Sequence, residues 1–223
     1  MAELDYVPNF SARGLRNGRS GVIGLALPDL GTPYSAEIAH NVVEVAHERG
    51  WSVQIEETGM DPEREHELLS RARANLIDGL ILNPVVLDKS AVTVGVSLPP
   101  VVLLGEVSQQ ITDRVWVDSV AAAKEMTLTL ARPGRRRIAI VGDTTAERRS
   151  ATALLRRQGY QEALDELGIE RDPTLHIVCR SWTPRGSAEA VRAFLDSLEL
   201  PDAFVCFSDS LAIGALSVLG DRG

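Results

Sequence analysis

Apolar residues along this chain come in short unbroken runs, and polar turns or helical stripes separate one run from the next. A run of four to six apolar residues bounded by turn signals is the pattern of a strand buried on both faces. Val22–Leu27, Gly79–Leu82 and Val101–Leu104 are read this way in the first part of the chain, with Trp51–Glu56 and the short Val115–Val117 as further strands. Between them, Ser35–Arg49 has helical spacing, with Ile38, Val42, Val45 and Ala46 expected on one face and Gly50 as the stop. Asp61-Pro62 reads as a cap followed by proline at the first helical position, opening a helix that turns Leu68, Leu69 and Ala72 inward. The stretch Asp88–Val96 is short and β-branched and gives only a weak helical pattern. Asp118 is expected to cap an alanine-rich helix that ends near Pro133-Gly134.

The alternation then starts again. Strands are expected at Arg137–Val141, Leu175–Cys179 and Ala203–Phe207. Helices are expected at Thr145–Leu167, with an interruption at Gly159, at Ser187–Leu198 and at Leu211–Leu219. Repeated strand–helix units require parallel sheets with right-handed crossovers and helices on both faces. The expectation is an α/β protein of two lobes, residues 21–134 and 135–223, with a cleft between them. Ligands of such sheets bind outside the carboxyl ends of the strands. The loops expected there are Asp29–Tyr34, Asn83-Pro84 and Gly105-Glu106 in the first lobe, and Gly142–Arg149, Arg180–Gly186 and Ser208–Ser210 in the second.

Ahead of the first strand, Ser11–Ser20 is small and basic, carrying Arg13, Arg16 and Arg19 among glycines. The chain as a whole has a net charge of −8, so any contact with nucleic acid has to be local to such a segment. Hydrophobic content of 44% sets the chain apart from disordered and fibrous classes. Cys179 and Cys206 both lie in strand-like runs and read as reduced core thiols. The four histidines, His40, His47, His66 and His176, lack ligand spacing, so no metal site is expected, and no cofactor. No phosphate loop, dinucleotide fingerprint or nucleophile elbow is present, and the expectation is a protein that is not an enzyme. The first residues have no secretory pattern and no run approaches membrane-span length, which together point to the cytoplasm.

Several phrases, in order, resemble the lactose-repressor (LacI/GalR) family of transcriptional regulators. They are the leader from Pro8 into the first strand, G-T-P-Y-S-A-E-I from Gly31, D-G-L-I-L from Asp78 and V-V-L-L-G-E from Val101. R-R-I-A-I-V-G from Arg136, R-R-Q-G-Y-Q-E-A-L from Arg156 and F-S-D-S-L-A-I-G-A-L from Phe207 complete the set. The resemblance implies a type I periplasmic-binding-protein-like core whose closure on an effector is felt by operator DNA, in a homodimer. Residues 1–10 then correspond to the tail of a DNA-binding headpiece and 11–20 to a hinge. The headpiece itself and the C-terminal end would be missing, leaving the second lobe incomplete.

The same resemblance assigns roles to particular side chains. Leu15 would wedge between base pairs in the minor groove, with Arg13 and Arg16 supplying phosphate attraction. A disordered basic linker is the plainer reading, favoured by Gly14 and Gly18. Tyr34, Ser35, Arg156, Trp182 and Asp209 would contact the effector. A guanidinium suits vicinal hydroxyls or a carboxylate, and an aromatic face suits a sugar or a base. Against this stand a solvated helix face for Arg156 and helix capping for Asp209. By family frequency the effector is a sugar, with a purine or another polyol as alternatives. A solute receptor of a transport system and a non-functional remnant are the competing readings of the whole chain.

Overall fold

A computed structural model of the chain describes residues 19–59, 61–74, 76–84, 100–106, 112–145, 150–197 and 199–222. The leader residues Arg13, Leu15 and Arg16, and the segment Asp88–Val96, lie outside them. The chain divides into two compact units, Met1–Trp116 and Val117–Gly223.

The first unit is built on a parallel sheet of five strands: β1 (Val22–Leu27), β2 (Ser52–Glu57), β3 (Gly79–Leu82), β4 (Val101–Leu104) and β5 (Asp113–Val115). Their spatial order is β2-β1-β3-β4-β5. Strand β1 lies inside the sheet and pairs with both β2 and β3, so Leu25 lies beside Ile55 on one side and Ile81 on the other. That position explains its unbroken apolar run. Helix α1 (Pro33–Glu48) starts at Thr32, whose hydroxyl accepts the Ser35 N–H at 3.2 Å. Helix α2 (Pro62–Arg73) starts at Asp61, which accepts the Glu63 N–H at 2.9 Å. As expected, α2 buries Leu68, Leu69 and Ala72.

Two expectations for this unit need correction. Val45 is 45% exposed, because the inward stripe of α1 runs through Ser35, Ile38, Val42 and Ala46, and Val45 lies about 100° from Ala46 around the axis. The fifth strand is Asp113–Val115, not Val115–Val117, which leaves Trp116 and Val117 exposed beyond its end. Arg114 stacks on Trp116, its guanidinium 4.8 Å from the ring centroid.

The second unit opens with helix α3 (Ser119–Ala131), capped by Asp118 through the Ala121 N–H at 2.9 Å. The sequence puts the boundary between lobes near Gly134, after this helix; the division by contacts falls before it, because α3 packs on α4. The sheet has three parallel strands, β6 (Ile138–Asp143), β7 (His176–Val178) and β8 (Ala203–Cys206), in the order β7-β6-β8. Together with α3, the helices α4 (Ala151–Glu166), α5 (Pro184–Ser197) and α6 (Asp209–Gly220) pack on it. Ser150 caps α4 and Ser208 caps α6.

Gly159 does not interrupt α4. A Cβ there would sit 2.9 Å from the Lys124 backbone nitrogen and closer still to the Val120 carbonyl oxygen. The glycine is therefore a point of close helix crossing. The next residue, Tyr160, is fully buried, its hydroxyl donating to the Ile138 carbonyl at 2.8 Å.

The two units share a device at the start of their sheets. Asp78, just before β3, accepts the N–H groups of Ser20 and Gly21 at 2.9 and 2.7 Å. Asp202, just before β8, accepts those of Arg136 and Arg137, both at 2.8 Å. In each case one carboxylate joins the start of the central strand to the start of its neighbour, so both sheets are built from the same strand-helix-strand-helix-strand pattern.

Candidate functional site

Strands of a parallel sheet all end on one edge, and in the second unit that edge gathers the side chains of interest. Arg156 projects from the second turn of α4. Its Nη1 donates to the carbonyl of Phe207, the residue just past β8, and its Nε lies 3.4 Å from the Ser119 hydroxyl of α3. The guanidinium therefore joins three elements rather than waving from a solvated helix face.

Trp182 follows β7 and is partly buried against the core, tilted over Phe207 with ring centroids 6.4 Å apart. Asp209 is exposed in the first turn of α6, while the capping role belongs to Ser208, which accepts the Leu211 N–H at 3.3 Å. Phe207 is thus the common neighbour: Arg156 reaches its carbonyl, Trp182 lies on its ring, and Asp209 is two residues further on.

In the first unit, Tyr34 occupies the first turn of α1 at the carboxyl end of β1 and is 57% exposed. Ser35 is buried, with its hydroxyl 3.0 Å from that of Thr32. It therefore supports the turn that presents Tyr34. At the same edge Asn83 spans from β3 to β4, donating from Nδ2 to the Leu104 carbonyl at 2.8 Å.

Sequence reasoning missed a charged cluster at the base of the second unit's site. Asp143 ends the otherwise apolar β6 and is only 4% exposed. Its carboxylate accepts from the Thr144 N–H at 2.8 Å and from Arg157 Nη1 at 3.2 Å, and lies 2.9 Å from His176 Nδ1. Burial alone would push the Asp143 carboxyl up. The His176 hydrogen bond, the Thr144 N–H and the Arg157 charge outweigh it and hold the carboxyl below the ordinary carboxylate range. The signal available in the sequence was the single aspartate closing a strand of apolar residues and glycine.

The two cysteines are free thiols. Burial raises Cys179 to about 11 against one opposing hydrogen bond from Gly142, and burial with the neighbouring Cys179 raises Cys206 to about 11. Both are protonated and poorly nucleophilic at neutral pH. Among the described residues no group of three or more His, Cys, Asp or Glu side chains is placed to hold a metal ion. No described helix is long and apolar enough to cross a membrane.

The chain is similar to known proteins of one family. Residues 20–223 match the family described as periplasmic binding proteins and sugar binding domain of LacI family. Over 226 residues the chain is 28% identical to the transcriptional repressor PurR of Histophilus somni, covering all of this chain and 67% of that protein. It is 29% identical to catabolite control protein A of Staphylococcus aureus, again over all of this chain and 67% of the relative. A solved protein from Sanguibacter keddieii, assigned as a LacI-family transcriptional regulator, superposes with a TM-score of 0.78 at 40% identity. That match covers 92% of this chain and 73% of the other. The chain thus spans about two thirds of the length of these curated relatives.

Proposed function

We propose that this chain, which belongs to the family of periplasmic binding proteins and LacI-type sugar-binding domains, is the effector-sensing core of a transcriptional repressor. The observation that carries this reading is the convergence of Arg156 and Trp182 on Phe207 at the carboxyl edge of a parallel sheet. A planar fork of donors beside an aromatic face suits a small polyhydroxylated or heterocyclic molecule, a sugar first and a purine second. Asp209 adds an acceptor for hydroxyl groups, and Tyr34 is the contact proposed on the first unit. The relatives being regulators, the chain acts by binding rather than by catalysis, in the cytoplasm and as a homodimer.

Calorimetric titration with a panel of hexoses, pentoses, polyols, sugar phosphates and purine bases tests the site. For whichever compound binds, Arg156→Met and Trp182→Ala each weaken affinity about tenfold or more, the loss expected for a charge-assisted hydrogen bond or a stacked ring. Unchanged affinity in both variants moves the site elsewhere.

The leader carries the proposed contact with operator DNA. Leu15 is the wedge, and Arg13 and Arg16 neutralise phosphates. Fluorescence anisotropy with palindromic duplexes is the check. Leu15→Ala lowers affinity at fixed salt. Arg13→Gln with Arg16→Gln flattens the slope of log affinity against log salt by about one unit per lost phosphate contact. If neither quantity moves, the leader does not touch DNA.

A further inference from the structure

Arg156 and Arg157 are adjacent on α4, so their side chains leave the helix about 100° apart. One reaches the carbonyl of Phe207 past the end of β8; the other reaches Asp143 at the end of β6. Two anchors separated in this way define the rotation of a helix about its own axis, which a single anchor does not.

The Asp143 anchor depends on a local irregularity in the sheet. His176 pairs with Ile140, three residues before Asp143, and in regular alternation residues three apart point to opposite faces. Between Val141 and Asp143 the register shifts at Gly142, which has a φ of +105°. A bulge of this kind re-aims the side chain that follows it. It turns Asp143 onto the face shared by His176 and α4, where all three groups meet.

Groups from three elements meet at the Asp143 carboxylate. Thr144 approaches from the strand end, His176 from β7, and Arg157 from α4. Tyr160 of α4 packs edge-on to the His176 ring, centroids 5.8 Å apart. Asp172, whose charge also acts on His176, is itself held by the Thr174 hydroxyl and N–H and paired with Arg137. Because an ionised carboxylate can only accept, Nδ1 of His176 is the donor to Asp143 and the imidazole orientation is set.

We infer that Asp143 is the positioning residue of the candidate effector site: by holding Arg157 and His176 at the end of β6 it sets the rotation of α4 that aims Arg156 at the end of β8. The inference rests on the reading of Arg156 as an effector contact, but its test does not require the effector.

The test reads the Arg156 Nη–H group that donates to Phe207 directly by low-temperature ¹⁵N NMR in the 223-residue chain, with the resonance assigned through its loss in Arg156→Lys. In the parent protein this proton exchanges slowly with water. In Asp143→Asn and in Arg157→Met its exchange speeds up about tenfold or more, as expected when a charge-assisted hydrogen bond is lost. Arg157→Lys, which keeps the cation, restores most of the protection, and the Tyr160 and Val205 amides stay protected throughout. An unchanged Arg156 Nη–H in Arg157→Met overturns the proposal, as does an Nη–H that is unprotected in the parent. General loss of core amide protection in Arg157→Met also overturns it, since the cluster would then only hold the fold together. Should Asp143→Asn not fold, Arg157→Met decides alone. If Arg156→Met binds the calorimetric hit as tightly as the parent does, the effector reading falls while the exchange result stands by itself.

Discussion

Gly159→Ala lowers the unfolding free energy of the second unit by about 3 kcal/mol, although alanine favours a helix over glycine by about 1 kcal/mol. The sign is reversed by what the methyl group meets. Its neighbours are the Val120 carbonyl oxygen and the Lys124 nitrogen of α3, both backbone atoms inside a hydrogen-bonded helix. Neither can turn aside as a side-chain tip could. The two helices must part along their crossing, and the α3–α4 seam loses close packing that dispersion forces reward only at contact distance. Urea denaturation followed by fluorescence measures this. Trp51 and Trp116 belong to the first unit, so a Trp51→Phe, Trp116→Phe background leaves Trp182 as the reporter of the second. A midpoint equal to or above that of the parent would show that the crossing is looser than described.

Asp143→Ala is expected to cost about 3 kcal/mol at neutral pH. That is the low end of the range for breaking a buried ion pair, because Arg157 is 31% exposed and can turn part of its charge to water. The penalty depends on pH with a definite sign. The folded-state pKa of Asp143 lies below its unfolded value, so the native state favours the ionised carboxylate. Its stabilisation is complete above the ordinary carboxylate pKa of about 4 and is lost as pH falls through the lower folded value. The gap between parent and variant, measured by urea unfolding at steps from pH 7 to pH 3, therefore narrows at the acid end. A gap constant over that range would mean that Asp143 contributes packing and not charge.

These two residues also show where reading the chain alone succeeds and where it stops. The strands β1, β3 and β4 fall on the expected residues because a buried parallel strand is an unbroken apolar run, a property of neighbours in sequence. Asp61 and Asp118 open helices for the same reason: a short oxygen-bearing side chain beside orphan N–H groups acts over two or three residues. Arg156, Trp182 and Asp209 could be named from phrases resembling a known family, but what surrounds them could not. In the chain alone, Phe207, which Arg156 and Trp182 both touch, is only the last residue of an apolar strand pattern.

Gly159 has the local pattern of a helix break, and Val45 sits in an apolar stripe. Whether a glycine breaks a helix or lets another helix approach depends on what lies across from it. Whether a valine is covered depends on how far the neighbouring layer extends. His176 and Asp143 are 33 residues apart and would face opposite ways but for one bulge at Gly142. The order and kind of the elements, and the caps that start them, are therefore legible in the chain alone, since those energies are settled within a few residues. The helix crossing, the re-aimed aspartate and the meeting of side chains on Phe207 were decided only by the tertiary structure, since contact between distant segments is set by how layers pack and twist.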